Sequence, residues 1–350
     1  MRAAPLHGPR DIRLEDRPRP AAPGPVEVQV RVTAVGICGS DLHTYLDGRI
    51  GDTELGGPLV LGHEFAGVVE AAGPDALDGA GRALSPGTRV AVDPAQPCNA
   101  CESCRAGHPN LCPHHRFVGV WPTQGALQDR LNVPADTCFR VPDAIDDVSA
   151  AMLEPLGVAL HAVDLAHLRV GHSVAIIGCG SIGLLCGAVA GQAGAAPLLM
   201  TDRLPARLDA ARRLGAQTFD IEQADPVEAI MQRTGGRGVD VALECAWSTP
   251  QSVAQAVEVL RPGGRLVVVG IASDDTLTFN HSAVRRKGLT IALCRRMKHT
   301  YPRAIRLVSS GTINVSAWVT HRLPLEQTAE ALDLAATYRD GVIKAMVELA

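Results

Sequence analysis

Ser173-Val174-Ala175-Ile176-Ile177-Gly178-Cys179-Gly180-Ser181-Ile182-Gly183 decides the fold of this 350-residue chain. A short apolar run rich in β-branched residues ends in GxGxxG and leads directly into a small-residue helix pattern, Leu184 to Gln192. That order predicts a strand, a tight turn and a helix N-terminus. Gly178 permits the turn, Gly180 lets the backbone approach a pyrophosphate, and Gly183, next to Ile182, lets helix and strand pack closely. The helix start adds free N–H donors and a positive dipole end. A second apolar run, Leu198 to Thr201, ends in Asp202, where a ribose-binding carboxylate is expected, and Arg207 follows to flank the adenosine. The competing reading is a glycine turn in another α/β protein; strand, helix and acidic residue together favour a dinucleotide site, and Asp202 favours NAD over NADP.

The length suits two domains, either long enough to bury a substantial core. An apolar share of 46% with 20% charged residues reads as a soluble globular chain, and its few aromatics leave the core to Ala, Val, Leu and Ile. The formal net charge is -4 and no basic run stands out, which argues against nucleic acid and membrane and for a small-molecule partner. Met1 to Arg19 has no apolar core of signal-peptide length, and Val174 to Met200 is broken by glycines, Gln192 and Pro197, so a cytoplasmic protein is expected.

Cys98-x-x-Cys101-x-x-Cys104 followed by Cys112 lies in a loop rich in Pro, Gly and Asn. Four sulfurs at that spacing match a closed tetrahedral zinc site; a disulfide pair, free thiols or an iron–sulfur cluster are the competing readings. Upstream, a β-branched strand pattern from Val26 to Val35 leads into Cys38-Gly39-Ser40-Asp41-Leu42-His43, and His63-Glu64 opens another strand after Pro58 to Gly62. Thiolate, imidazole and carboxylate are ligand types for zinc with an open position, although Cys38 and His63 read alone equally suit a buried cysteine and a core histidine. Glu154 sits in an apolar helix start, which is costly unless the carboxylate is paired, metal-linked or capping the helix. Asp41 is read either as an orienting partner for His63 or as a helix cap.

Strands near 173–178, 198–202, 217–220, 239–245, 264–270 and 288–294 alternate with helices and predict a doubly wound parallel sheet. Arg261-Pro262-Gly263-Gly264 reads as a turn before its strand, which would carry Val269, Gly270 and Ile271 to the cofactor edge. Two strands are expected within Leu127 to Val141, a helix around Tyr301 to Ser310, and strand, helix and strand from Val315 onward. The expected domains are 1–150 with 295–350, and 151–294.

With these residues in hand, the whole chain resembles the zinc-dependent medium-chain alcohol dehydrogenases, and most of all their sorbitol (polyol) dehydrogenase branch. The shared stretches are Val35 to His43, Gly48 to Gly51, Leu61 to Glu64, Glu154 to Leu156, Gly178 to Gly183, Thr201-Asp202 with Arg207, and Val319 to Glu326. The resemblance implies a GroES-like β-rich catalytic domain plus a Rossmann domain, two zinc ions per chain and NAD. It assigns the catalytic zinc to Cys38, His63, Glu64 and Glu154, and the structural zinc to Cys98, Cys101, Cys104 and Cys112. It implies a proton path through Ser40 and His43, a pocket arginine at Arg295, and a homo-oligomer, tetramer or dimer. Arg296 and Thr44 depart from the branch pattern. The implied reaction is oxidation of a secondary hydroxyl of a polyol or vicinal diol to the ketone. Threonine or butanediol dehydrogenases, a zinc-free quinone-type reductase and a non-catalytic cofactor-binding relative are the alternatives.

Overall fold

The structure, a computed structural model, describes residues 1–272 and 276–349. The chain folds into two compact units, Met1–Glu154 with Tyr301–Ala350, and Pro155–Thr300. These boundaries fall a few residues later than the sequence suggests. Met297 and Thr300 pack where a Cβ on Gly157 would sit, at 2.7 Å, so the segment after 294 stays with the second unit.

The first unit is built on β1 (Glu27–Gly36), α1 (Gly39–Asp47), β2 (Glu64–Ala72), β3 (Arg89–Val92), β4 (Arg130–Pro134) and β5 (Cys138–Arg140). β1 buries Val28, Val30, Val32 and Val35 completely, as its run of β-branched residues predicts. The chain then enters helix α2 (Leu153–Ala166).

In the second unit follow β6 (Val174–Ile177), α3 (Ser181–Gln192), β7 (Leu198–Asp202), β8 (Gln217–Asp220), β9 (Val239–Glu244), β10 (Leu260–Val268) and β11 (Thr290–Leu293). They form a six-stranded sheet in the order β8-β7-β6-β9-β10-β11, with every pairing parallel. β6 and β9 are wholly buried, in keeping with a sheet covered on both faces. One expectation needs correcting: Arg261-Pro262-Gly263-Gly264 does not precede its strand. It lies inside β10 as a bulge, where the register jumps from Val239 opposite Leu260 to Val241 opposite Arg265 and Gly263 takes φ +72°.

The chain returns to the first unit with β12 (Val319–Pro324), a helix over Thr328–Thr337 and β13 (Lys344–Glu348). The first unit's seven-stranded sheet then runs β5-β3-β2-β1-β13-β12, with β4 also paired to β1. β1 lies between β2 and β13, with Glu64 and Met346 both opposite Gly36. Continuing that antiparallel register beyond β1 sets Lys344 level with Cys38.

Candidate metal centre and cofactor loop

Cys38 sits between the end of β1 and the start of α1, and His63-Glu64 leads into β2. Because β1 and β2 are neighbours, the thiol, imidazole and carboxylate converge, with one ligand atom from each lying within 4.8 Å of the others. Asp41, two per cent exposed, accounts for much of the local geometry. One carboxylate oxygen accepts the Cys38 N–H at 2.9 Å and so caps α1. The other lies 3.2 Å from His63 Nδ1 and accepts the Gly62 N–H at 3.3 Å. Both readings of Asp41 therefore hold at once, and His63 presents Nε2 to the site.

Ser40 Oγ lies 3.3 Å from His63 Nε2, and Phe117 packs its ring 5.2 Å from the imidazole. His43 is buried one turn along α1. Burial disfavours a charged His63, yet the neighbouring Asp41 carboxylate and Cys38 sulfur outweigh it and raise its pKa well above the ordinary histidine range. The mixed S, N and O donors of the cluster suit zinc with a position left for an oxygen ligand. Glu154 is buried at the start of α2, and the three-residue group of Cys38, His63 and Glu64 is described without it.

Lys344 is the site residue that sequence reading misses. Its ammonium forms an ion pair with Glu64 Oε2, and both side chains are at least 98% buried. Burial opposes its charge, but Glu64, Cys38 and Asp41 raise its pKa above the usual lysine value. Gly36 makes the pair possible, since a Cβ there would overlap the Glu64 carboxylate and approach Lys344 Cε to 3.0 Å. The available signal is a lysine inside an otherwise apolar terminal strand, Val342 to Val347.

Cys98, Cys101, Cys104 and Cys112 bring all four sulfurs within 4.8 Å of one another. Cys98 and Cys112 Sγ are 3.5 Å apart, well beyond the ~2.05 Å of a disulfide and near the ~3.8 Å edge that Zn–S bonds of ~2.3 Å give a tetrahedron. Backbone N–H groups of Ala100 and Cys101 lower the Cys98 thiol to about 6, as a thiolate ligand requires. The donor set fits zinc.

In the second unit, Gly178 takes φ +97° and Gly180 precedes α3 as its N-cap. A Cβ on Gly183 would overlap the Gly178 carbonyl, so helix and strand need that glycine. Asp202 ends β7 with its carboxylate fixed by three backbone N–H groups: Cys179 at 2.7 Å, Arg203 at 2.8 Å and Leu204 at 2.9 Å. Arg207 approaches to 3.7 Å from where a Cβ on Gly180 would be. Ile182 is half-buried in the first turn of α3. Val269 and Gly270 follow β10 with both N–H groups on the Glu244 carbonyl, while Ile271 and Arg295 are exposed beyond the strand ends.

The family described as Alcohol dehydrogenase GroES-like domain matches residues 24–143, and that described as Zinc-binding dehydrogenase matches residues 181–310. Sorbitol dehydrogenase of Bacillus subtilis is 37% identical over 99% of this chain and 97% of its own length. A probable D-xylulose reductase A of Aspergillus fumigatus is 39% identical, covering 90% of this chain and 88% of its own. Among solved structures, a zinc-binding dehydrogenase of Sinorhizobium meliloti bound to NADP superposes with a TM-score of 0.89 at 31% identity, covering 99% of this chain and 98% of that one. Two family matches and full-length relatives at this identity agree with the two donor sets and the glycine loop: the chain belongs to the zinc-binding alcohol dehydrogenases, in their sorbitol dehydrogenase branch.

Proposed function

We propose that this enzyme uses NAD to oxidise a secondary hydroxyl next to another hydroxyl, in a linear polyol or small diol, to the ketone. The observation that carries the reading is the thiol, imidazole and carboxylate set of Cys38, His63 and Glu64, on a chain whose full-length relatives are named for sorbitol and xylulose. When bound there, zinc supplies Lewis acidity that favours loss of the hydroxyl proton, and NAD supplies the hydride acceptor.

The chain's own groups do the rest. Asp41 fixes the His63 tautomer with Nε2 inward. Ser40 is assigned to take the substrate proton and His43 to pass it on; the 3.3 Å distance from Ser40 Oγ to that nitrogen supports the reading. Glu154 is assigned to the metal, directly or through water, or to a neighbouring substrate hydroxyl. A hydroxyl beside the reacting one gives a polyol an oxygen contact that a simple alcohol lacks, so simple alcohols are expected to be poor substrates.

Two zinc ions per chain are proposed, one on the open set and one on the four cysteines. The fixed Asp202 carboxylate supports NAD, because it accepts from a ribose 2′-hydroxyl and repels a 2′-phosphate, while the adjacent Arg203 guanidinium is the group that would accommodate a phosphate. A cytoplasmic homo-oligomer, dimer or tetramer, completes the proposal; no helix among the described residues is long and apolar enough to cross a membrane. The test is catalytic efficiency on sorbitol, xylitol, galactitol, 2,3-butanediol, L-threonine, 2-propanol and ethanol with NAD and with NADP. Highest efficiency on 2-propanol or ethanol overturns the polyol reading, and highest efficiency on threonine moves the enzyme to a neighbouring branch.

A further inference from the structure

The sheet order reverses between β6 and β9, so the crevice at their carboxyl ends is where a doubly wound sheet binds its ligand. β9 ends there on Glu244, a carboxylate with no solvent exposure. Glu244 Oε1 accepts the N–H groups of Ala246 at 2.8 Å and Ser248 at 3.1 Å, and Oε2 accepts the Ser248 hydroxyl at 2.5 Å. Ser248 Oγ also lies 2.9 Å from the Gly270 carbonyl, which ties the turn after β9 to the segment after β10. Within the turn, Trp247 at φ +62° and Ser248 at φ +45° are consecutive left-handed residues that are not glycine. Such backbone persists only where its surroundings impose it, and here the Glu244 carboxylate takes the N–H groups of Ala246 and Ser248 and the Ser248 hydroxyl.

The turn also presses on both glycine positions read as cofactor-binding. A Cβ on Gly178 would lie 2.8 Å from Ala246 Cβ and 3.1 Å from the Cys245 carbonyl carbon. One on Gly270 would lie 2.8 Å from Glu244 Oε2 and from the Ser248 nitrogen. Phosphate loop, turn and post-β10 segment therefore meet around Glu244. We propose that Glu244 is a positioning residue for the nicotinamide dinucleotide, holding the 245–248 turn in the left-handed form that sets the crevice wall between Gly178 and Gly270. This rests on the dinucleotide reading of the second unit.

The test is NADH affinity by calorimetric titration of the zinc-loaded wild type, Ser248→Ala and Glu244→Gln, with zinc content and melting temperature measured alongside. Ser248→Ala removes one bond from the carboxylate without adding bulk, and Glu244→Gln keeps its shape while placing an NH2 opposite the serine hydroxyl. The expected result is a three- to tenfold rise in Kd for NADH in each variant and a matching rise in KM for NAD. Zinc content and kcat at saturating NAD should stay within twofold of wild type. A lower melting temperature with unchanged NADH affinity means that Glu244 only stabilises the fold, and overturns the inference. A wild type that itself fails to bind NADH overturns the dinucleotide reading instead.

Discussion

Replacing Lys344 with Met tests the buried charge arrangement most sharply, because it should weaken the fold and tighten zinc at the same time. Lys344 and Glu64 are both nearly inaccessible, and deleting one partner of a buried ion pair leaves the other charge uncompensated, at about 3–5 kcal/mol. Zinc on Cys38 and His63 offers Glu64 another cation, so the zinc-loaded variant should lose less stability than the zinc-free one. By linkage, that difference must reappear as affinity. If zinc restores even a third of the loss, about 1.4 kcal/mol, the variant binds it about tenfold more tightly. The assay is urea unfolding of wild type and Lys344→Met with zinc and with a mild chelator, plus zinc competition against a chromophoric chelator. Equal destabilisation in both conditions, or weaker zinc binding in the variant, would refute the reasoning and make Lys344 a scaffold for Glu64 as a ligand.

Cys104→Ser should lower the melting temperature more than it lowers the specific activity of the protein that stays folded, since that sulfur belongs to the loop set; differential scanning calorimetry beside active-site titration reads both. Asp202→Ala should shift the ratio of catalytic efficiencies towards NADP, and an unchanged ratio would remove Asp202 from cofactor choice. Asp240 is desolvated, but bonds from Arg237, Arg261 and Ser173 outweigh this and hold its carboxyl well below the usual carboxylate range. Its folded pKa is thus below its unfolded one, so the stability it contributes is full above about pH 4 and is lost as pH falls further. Urea midpoints of wild type and Asp240→Asn should therefore stay a constant distance apart from about pH 6 to about pH 5 and begin to draw together below about pH 4, with most of the gap still open at about pH 3.

Local signals are enough for the elements that carry their own pattern. β7 and β8 match their predicted spans, and the glycine loop and the four cysteines are continuous motifs whose neighbours in sequence are their neighbours in space. Features that depend on strand register are not legible in the same way. Lys344 reaches Glu64 only because β1 separates β2 from β13 and Gly36 leaves room between them. Glu244 reads in sequence as the end of a strand, and its work shows only once Trp247 and Ser248 are seen to be left-handed. The Arg261–Gly264 bulge has the composition of a turn, and only pairing on both sides of it reveals that the strand continues. The family resemblance groups Glu154 with the metal ligands, and the thiol, imidazole and other carboxylate of that set come from the β1–α1 junction and the start of β2.

The central claim, that a polyol hydroxyl binds at the metal held by Cys38, His63 and Glu64, is tested most directly by exchanging cobalt(II) into that set and recording its visible absorption. Adding sorbitol or xylitol in the presence of NADH should shift the d–d bands, and Cys38→Ser should lack the parent bands. An unchanged spectrum at a polyol concentration that saturates turnover would contradict the account.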